Sequence, residues 1–176
     1  MTCAAHALAI KRGFLQGDDV DLIQEIANQL SQEPFVADIG TGAGTTALAV
    51  LAIRPNARIF SVDHNLAELN HAERAMENVG LKNQWIGVRR ESTDIAKFFQ
   101  DETFDFFMLD TSHEYEDTVK EIAVWIPKLK IQAPCWFHDY LGDYPGCRKA
   151  IDEAVVAGLI SFHESRGLGW SGYRQF

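Results

Sequence analysis

Hydrophobic positions change period repeatedly along this chain. From Asp18 to Gln29 apolar residues stand at Val20, Ile23, Ile26 and Ala27, with Leu30 next, the spacing of a helix buried along one stripe. Phe35–Ile39 is a short apolar run. After a glycine-rich stretch, Thr45–Ile53 is small and apolar as far as Pro55, so the order reads buried strand, tight turn, buried helix. Arg58–Val62 predicts a second strand. Asn65–Val79 predicts a helix with Leu66, Leu69, Ala72, Met76 and Val79 on one face and Gly80 as its stop. Trp85–Val88 predicts strand three, followed by a brief helix around Ile95–Phe99. Phe104–Leu109, almost wholly apolar, predicts a central fourth strand. Glu114–Leu129 carries Tyr115, Val119, Ile122, Ile126 and Leu129 in helical register. Pro134–His138 predicts strand five, and Cys147–Ala157 a further helix. Two last strands, Leu159–Glu164 and Trp170–Phe176, flank Arg166-Gly167-Leu168-Gly169, a connection short enough for an antiparallel hairpin at a sheet edge.

Strands alternating with helices predict an α/β fold with a parallel sheet wrapped on both faces. The 176 residues show no repeat, linker or low-complexity stretch, so one domain, 1–176, is expected. A net charge of −9 repels phosphate backbones and anionic lipid, which sets nucleic acid and membrane aside as partners. The apolar stretch Cys3–Ile10 has its positive charges after it, at Lys11 and Arg12, the wrong layout for a signal peptide. Three cysteines (Cys3, Cys135, Cys147), far apart and without a C-x-x-C pair, fit reduced thiols in the cytoplasm.

The candidate chemistry begins at the first turn, Asp38-Ile39-Gly40-Thr41-Gly42-Ala43-Gly44. Glycines there serve a turn that a Cβ forbids and let a ligand lie against bare backbone. A dinucleotide fingerprint would place its third glycine at position 45, which is Thr45; here the glycines fall at 40, 42 and 44. This turn resembles the opening motif of class I methyltransferases that use S-adenosylmethionine. Five parallel strands followed by a hairpin also match the seven-stranded sheet of that group, a Rossmann-like doubly wound fold. The resemblance implies a cofactor cradle of Gly40, Thr41, Gly42 and Gly44, with Asp38 toward the cofactor's amino end. Asp38 reads equally as a strand-end acid that bonds the turn itself. Asp63, ending strand two, can accept both hydroxyls of a ribose or can cap the next helix. His64 lies against the adenine face or simply on the surface. In the methyltransferase arrangement Glu91 and Ser92, after strand three, reach the adenine edge; Ser92 or Thr93 alternatively caps the short helix.

A second constellation ends strands four and five, at Asp110-Thr111-Ser112-His113 and at His138-Asp139-Tyr140. Both lie at carboxyl ends of adjacent strands, the ligand edge of an open α/β sheet, so Asp110 and Asp139 are expected to converge. Two carboxylates about 4 Å apart repel by roughly 4 kcal/mol at an effective dielectric near 20, a cost removed by a divalent cation or a shared proton. Hard oxygen ligands favour Mg²⁺ or Mn²⁺.

Leu109-Asp110-x-x-His113-x-Tyr115-Glu116, Trp125-Ile126-Pro127-x-Leu129, His138-Asp139-Tyr140 and Tyr144-Pro145-Gly146-Cys147-x-x-Ala150-Ile151-x-Glu153 together are similar to the O-methyltransferase-like group of catechol and macrolide-sugar enzymes and cephalosporin-hydroxylase-type proteins. The likeness runs from about Gly13 to the C-terminus. It implies metal ligation by Asp110 and Asp139, and His113 as the base of an O-methylation whose acceptor is a small hydroxylated molecule. The third ligand departs from that group: neighbours of Asp139 are His138 and Tyr140, and His138 either joins the metal or packs in the sheet. His113 has rival roles as support for Asp110 or as an ordinary helix-entry residue. Tyr140, Tyr144, Trp170 and Phe14 are candidates for the acceptor wall. Residues 1–17 are a lid or N-terminal extension, and a homodimer partner is the other way to complete the pocket. Two further functions stand beside this one: a protein that binds S-adenosylmethionine without catalysis, and a nicotinamide oxidoreductase, disfavoured by the glycine spacing and the hairpin.

Overall fold

The structure, a computed structural model, describes residues 15–176. In chain order the elements are α1 (Gly17–Gln29), β1 (Phe35–Ile39), α2 (Thr45–Ile53), β2 (Arg58–Asp63), α3 (Leu66–Asn78), β3 (Trp85–Arg89) and α4 (Ser92–Ala96). They continue with β4 (Phe106–Leu109), α5 (Tyr115–Trp125), β5 (Pro134–Phe137), α6 (Pro145–Val156), β6 (Ile160–Arg166) and β7 (Gly169–Arg174). The seven strands form one sheet in the order β3-β2-β1-β4-β5-β7-β6. The first five are parallel, and β7 runs antiparallel between β5 and β6.

Strand alternation explains why these strands read as unbroken apolar runs. Val36, Phe106, Met108 and Trp136 point to the face covered by α1, α2 and α3. Ala37, Phe107, Leu109, Cys135 and Phe137 point to the face covered by α5 and α6. Both faces are buried, so both sets must be apolar. Helix α2 is buried from Thr45 through Ala52, which is why its sequence lacks a polar side. The chain leaves β1 outward through β2 and β3 and then returns to β4 on the other side of β1. That reversal opens a crevice beyond the carboxyl ends of β1 and β4, where open α/β sheets hold ligands.

Several boundaries differ from the sequence-based expectation, each for a local reason. The helix expected to reach Leu129 ends as α-helix at Trp125 and tightens into a 3₁₀ turn, Ile126–Lys128, because Pro127 has no N–H to donate. Helix α6 begins at Pro145 rather than Cys147, since proline suits the first helical position. Helix α4 starts at Ser92 rather than near Ile95. Strand β4 starts at Phe106, and Phe104 makes only a single bridge, to Leu129. The hairpin turns on Gly167, at φ +62, which matches a two-residue loop with glycine at its first position.

The expected N-terminal lid, Phe14 and Cys3 fall outside the described residues, except that Leu15 is buried and Gln16 caps α1. Among the described residues no helix is long and apolar enough to cross a membrane.

Candidate active site

Bare backbone at the end of β1 builds the first part of the site. Gly40 sits at φ +81, and a Cβ there would stand 1.7 Å from the carbonyl oxygen of Asp110, so only glycine lets β1 and β4 end side by side. Gly44 lies against Ala72 of α3. Gly42, at φ +48, has no atom of the described residues within 4 Å of its would-be Cβ. The motif thus combines two packing glycines with one that leaves room for a ligand. Gly42 N–H donates to Asp63 Oδ2 (3.0 Å), and Asn65 N–H donates to Asp63 Oδ1 (2.8 Å). Each carboxylate oxygen keeps a lone pair for a further donor.

A cleft of about 500 Å³ opens here, lined by Gly40, Gly42, Asp63, His64, Glu91 and Ser92 on one side and by Asp110, Thr111, His113 and Glu121 on the other. Its size is that of a small-molecule pocket. Three of the residues expected to face a cofactor do not line it. Asp38 is 1 % exposed beneath the turn, where it accepts hydrogen bonds from Thr46 Oγ1 (2.5 Å) and Ser61 Oγ (2.6 Å). Burial pushes its carboxyl pKa up, and the hydroxyl donors oppose that shift. Asp38 therefore ties β1, β2 and α2 together instead of presenting charge to the cleft. Thr41 is also buried, and Gly44 serves the helix packing just described. His64 lies at the rim with its side chain 82 % exposed. The Ser92 hydroxyl donates to Glu121 Oε1.

The second part is a knot of four groups. Asp110 and His138 prolong β4 and β5: Asp110 N–H donates to Ile39 O (2.8 Å) and His138 N–H to Leu109 O (3.0 Å). His113 Nε2 lies 3.1 Å from Asp110 Oδ1 and 2.8 Å from Asp139 Oδ2. His138 Nδ1 lies 3.2 Å and 2.9 Å from the same two oxygens. Neighbouring residues on a pleat point to opposite faces, yet His138 and Asp139 both reach this point because Asp139 leaves the strand at φ +58. His113 is turned back by φ +62. Left-handed backbone at residues other than glycine costs of order 1–3 kcal/mol each and concentrates at functional sites. Tyr144 stacks on the His113 ring, with centroids 4.5 Å apart. Trp170, expected as an acceptor wall, is instead 1 % exposed and packs on Phe137.

Charge in the knot balances. Hydrogen bonds from His113 to Asp110 and Asp139 push that imidazole up to about 9. Burial opposes charge on His138, but the surrounding carboxylates outweigh it and raise its pKa as well. Burial alone would raise both acids; the two histidines hold Asp110 and Asp139 below the usual carboxylate range. A divalent cation fits the same donors. Two carboxylate oxygens and two imidazole nitrogens lie within 4.8 Å of one another. Ligands about 2.0–2.2 Å from an ion sit at most about 4.4 Å apart across it, so a slight contraction suffices. Two nitrogens among four donors suit Mn²⁺, Fe²⁺ or Zn²⁺ better than Mg²⁺, which prefers oxygen throughout.

Two positions that the sequence left unmarked support the site. Asp19 in α1 is fully buried and accepts hydrogen bonds from the N–H groups of Gln16, Leu168 and Gly169, each at 2.9 Å. Its other face lies 3.8 Å from His138 Nε2. Asp19→Ala would strand one buried and two partly buried donors and is expected to lower unfolding stability by about 2–3 kcal/mol in urea titrations; a loss under about 1 kcal/mol would contradict this role. The second is Glu121, at the cleft wall. Thr118, Glu121, Ile122 and Trp125 form the buried stripe of α5, a helical pattern missed when only apolar residues are counted.

A glycine turn and a strand-end carboxylate stand at the switch point of this strand order, and with the family match they place the chain among class I S-adenosylmethionine-dependent methyltransferases. The chain belongs to the methyltransferase domain family, whose profile matches residues 37–140; this excludes the nicotinamide alternative. Over 88 residues it is 32 % identical to the release factor glutamine methyltransferase of Rhodopirellula baltica, covering 49 % of this chain but only 29 % of that protein. A Corynebacterium glutamicum protein superposes with a TM-score of 0.79 at 15 % identity, over 98 % of this chain and 90 % of its own. A Staphylococcus aureus protein assigned as a caffeoyl-CoA O-methyltransferase superposes with a TM-score of 0.75 at 13 % identity, over 89 % of this chain and 82 % of its own. At such identities these two structures establish the shared fold.

Proposed function

We propose that this chain methylates a hydroxyl oxygen of a small molecule with the help of a divalent cation held by Asp110, Asp139 and the imidazole of His138, with His113 beside it as the base. The observation that carries the reading is the convergence of those four groups at the ends of β4 and β5, with Asp110 and His113 lining the cofactor cleft. The assignment of the Staphylococcus aureus neighbour points to oxygen as acceptor, whereas the Rhodopirellula relative is named for glutamine. The oxygen reading rests on the knot: carboxylate–imidazole sets suit a cation that polarises an oxygen.

When bound, S-adenosylmethionine supplies an electrophilic methyl on its sulfonium, and a cation at the knot lowers the pKa of an oxygen it holds. Asp63 offers one unused lone pair on each oxygen to the ribose hydroxyls. Gly42 lets the ligand approach the turn. Tyr144 packs the His113 ring in place, so that its Nε2 keeps a fixed direction. With both carboxylates unscreened the His113 ring is charged and only donates; it takes up a proton as a base when Asp110 and Asp139 are neutralised by another partner. Positioning of this kind is worth roughly 7–11 kcal/mol in well-oriented systems.

The test is transfer of labelled methyl to a panel of hydroxylated acceptors, before and after chelation. Transfer to oxygen that stops on chelation and returns with Mn²⁺ supports the proposal; labelled amide or amine products, or indifference to chelation, defeat it. His113→Ala is expected to lower turnover about 100-fold with little change in substrate binding, and unchanged turnover would remove it from the reaction. The balanced charge of the knot favours a second reading, a cation-free protein that binds S-adenosylmethionine without catalysis. Calorimetry with S-adenosylhomocysteine, showing tight binding and no heat from any divalent ion, would select it.

A further inference from the structure

Helix α6 turns Cys147, Ala150, Ile151 and Ala154 to the core and leaves Pro145, Lys149, Asp152 and Val156 exposed on the opposite side. The four outward positions are spaced by four, three and four residues, so the spacing is the same read from either end. Apolar residues stand at the two ends, with a base and an acid between them. Laid antiparallel against a second copy of itself, the stripe puts Pro145 on Val156 and Lys149 on Asp152, each contact made twice. An isologous contact requires this: residue i meets j, and j meets i. A shallow groove of about 470 Å³ runs along this side of the helix, and Val156 is 89 % exposed at its end.

For a helix that faces water alone, α6 is poorly arranged. Arg148 and Lys149 stand in its N-terminal half and Asp152 and Glu153 in its C-terminal half, against the helix dipole. Each base also precedes its acid by four residues, the weaker order, and the N···O distance is 3.8 Å in both pairs. An antiparallel copy corrects this, because it brings acids to the N-terminal half and bases to the C-terminal half. The charges are held ready. Tyr140 hydroxyl donates to Asp152 Oδ1 (2.8 Å), and Lys149 Nζ stands 4.1 Å from the centroid of the Tyr115 ring. Groups fixed before contact lose little freedom in making it. We propose that α6 pairs with α6 of a second copy of this chain, about a two-fold axis at the level of Ala150 and Ile151. The helix begins beside Tyr144, which stacks on His113, so the pairing stands next to the acceptor side of the candidate site. Nothing in this pairing depends on the cation or the acceptor.

Sedimentation velocity over a concentration series up to about 0.1 mM provides the test. The wild-type chain is expected to pass from monomer to dimer across the series. Lys149→Asp sets acid against acid and Asp152→Lys sets base against base, so each is expected to weaken the dimer at least about tenfold. In an equal mixture of the two variants one chain carries two acids and the other two bases. The mixed pair is then matched at both central contacts, and it is expected to dimerise where neither variant does alone. A fault confined to one chain's folding is not rescued in this way. Val156→Lys, at the exposed end of the stripe, is expected to weaken the dimer as well and touches no core residue, which serves if a charge reversal fails to fold. A wild-type chain that stays monomeric overturns the proposal. So does a dimer that none of these substitutions weakens, or a mixture that stays monomeric.

Discussion

Gly40→Ala is expected to cost the protein most of its stability. The added Cβ would stand 1.7 Å from the Asp110 carbonyl oxygen and 2.5 Å from its carbonyl carbon, both of them backbone atoms. Strand β4 cannot retreat, because Asp110 N–H is bonded to Ile39 O and the β1–β4 ladder continues beneath it. Left-handed backbone at +81 adds about 1–2 kcal/mol for a residue with a Cβ, and overpacking in a tight core costs typically about 1–3 kcal/mol more. A loss of about 3 kcal/mol or more is therefore expected in urea unfolding, and any folded fraction should carry a displaced Asp110. Gly42→Ala separates folding from binding. Among the described residues no atom lies within 4 Å of its new methyl, so stability should fall only by the backbone term while affinity for S-adenosylhomocysteine drops at least about tenfold. Wild-type stability in the first variant, or wild-type affinity in the second, would show that the glycines are misassigned.

Those two glycines also show what the sequence could and could not convey. The strand–turn–helix order and the spacing at 40, 42 and 44 were legible because they are local. The division of labour among them was not, because the neighbours of Gly40 and Gly44 come from β4 and α3. Asp38 shows the same limit: its hydroxyl partners belong to β2 and α2, and nothing nearby in sequence distinguishes a buried tie from a cofactor contact. Asp110 and Asp139 could be brought together on paper, since adjacent parallel strands put their carboxyl ends side by side. The inclusion of both histidines could not, since it depends on left-handed backbone at His113 and Asp139, a conformation that Asp and His adopt more readily than most residues but that nothing local in the sequence marks. Asp19 reads as an ordinary acid in a helix's first turn because its partners at Leu168 and Gly169 lie 149 and 150 residues away. Glu121 was hidden differently: a carboxylate inside a buried helical stripe looks like solvent-facing charge until Ser92 and Thr111 arrive to bind it.

Asp139→Asn is expected to disable the proposed cation site while leaving the cofactor cleft intact. Asp139 is 5 % exposed and does not line the cleft, so affinity for S-adenosylhomocysteine should stay within about twofold. Removing its charge leaves two imidazoles sharing only Asp110, and breaking a buried ion cluster in this way costs about 3–5 kcal/mol. The sign of the pH dependence follows from His113, whose pKa is raised to about 9 in the folded protein against about 6.5 unfolded. Without a cation, its ionic contribution is fully present below about pH 6.5 and is lost as pH rises through about 9. A cation that takes over the two carboxylates expels that proton from His113, so Mn²⁺ affinity should climb across the same window, by about tenfold per pH unit for one proton released. Manganese titrations from pH 7 to 9, with the His113 ring followed by NMR in the cation-free protein, measure both halves. Affinity that is flat with pH, or an Asp139→Asn protein that still binds Mn²⁺ like wild type, would mean that the four groups form a closed ion cluster and not a metal centre.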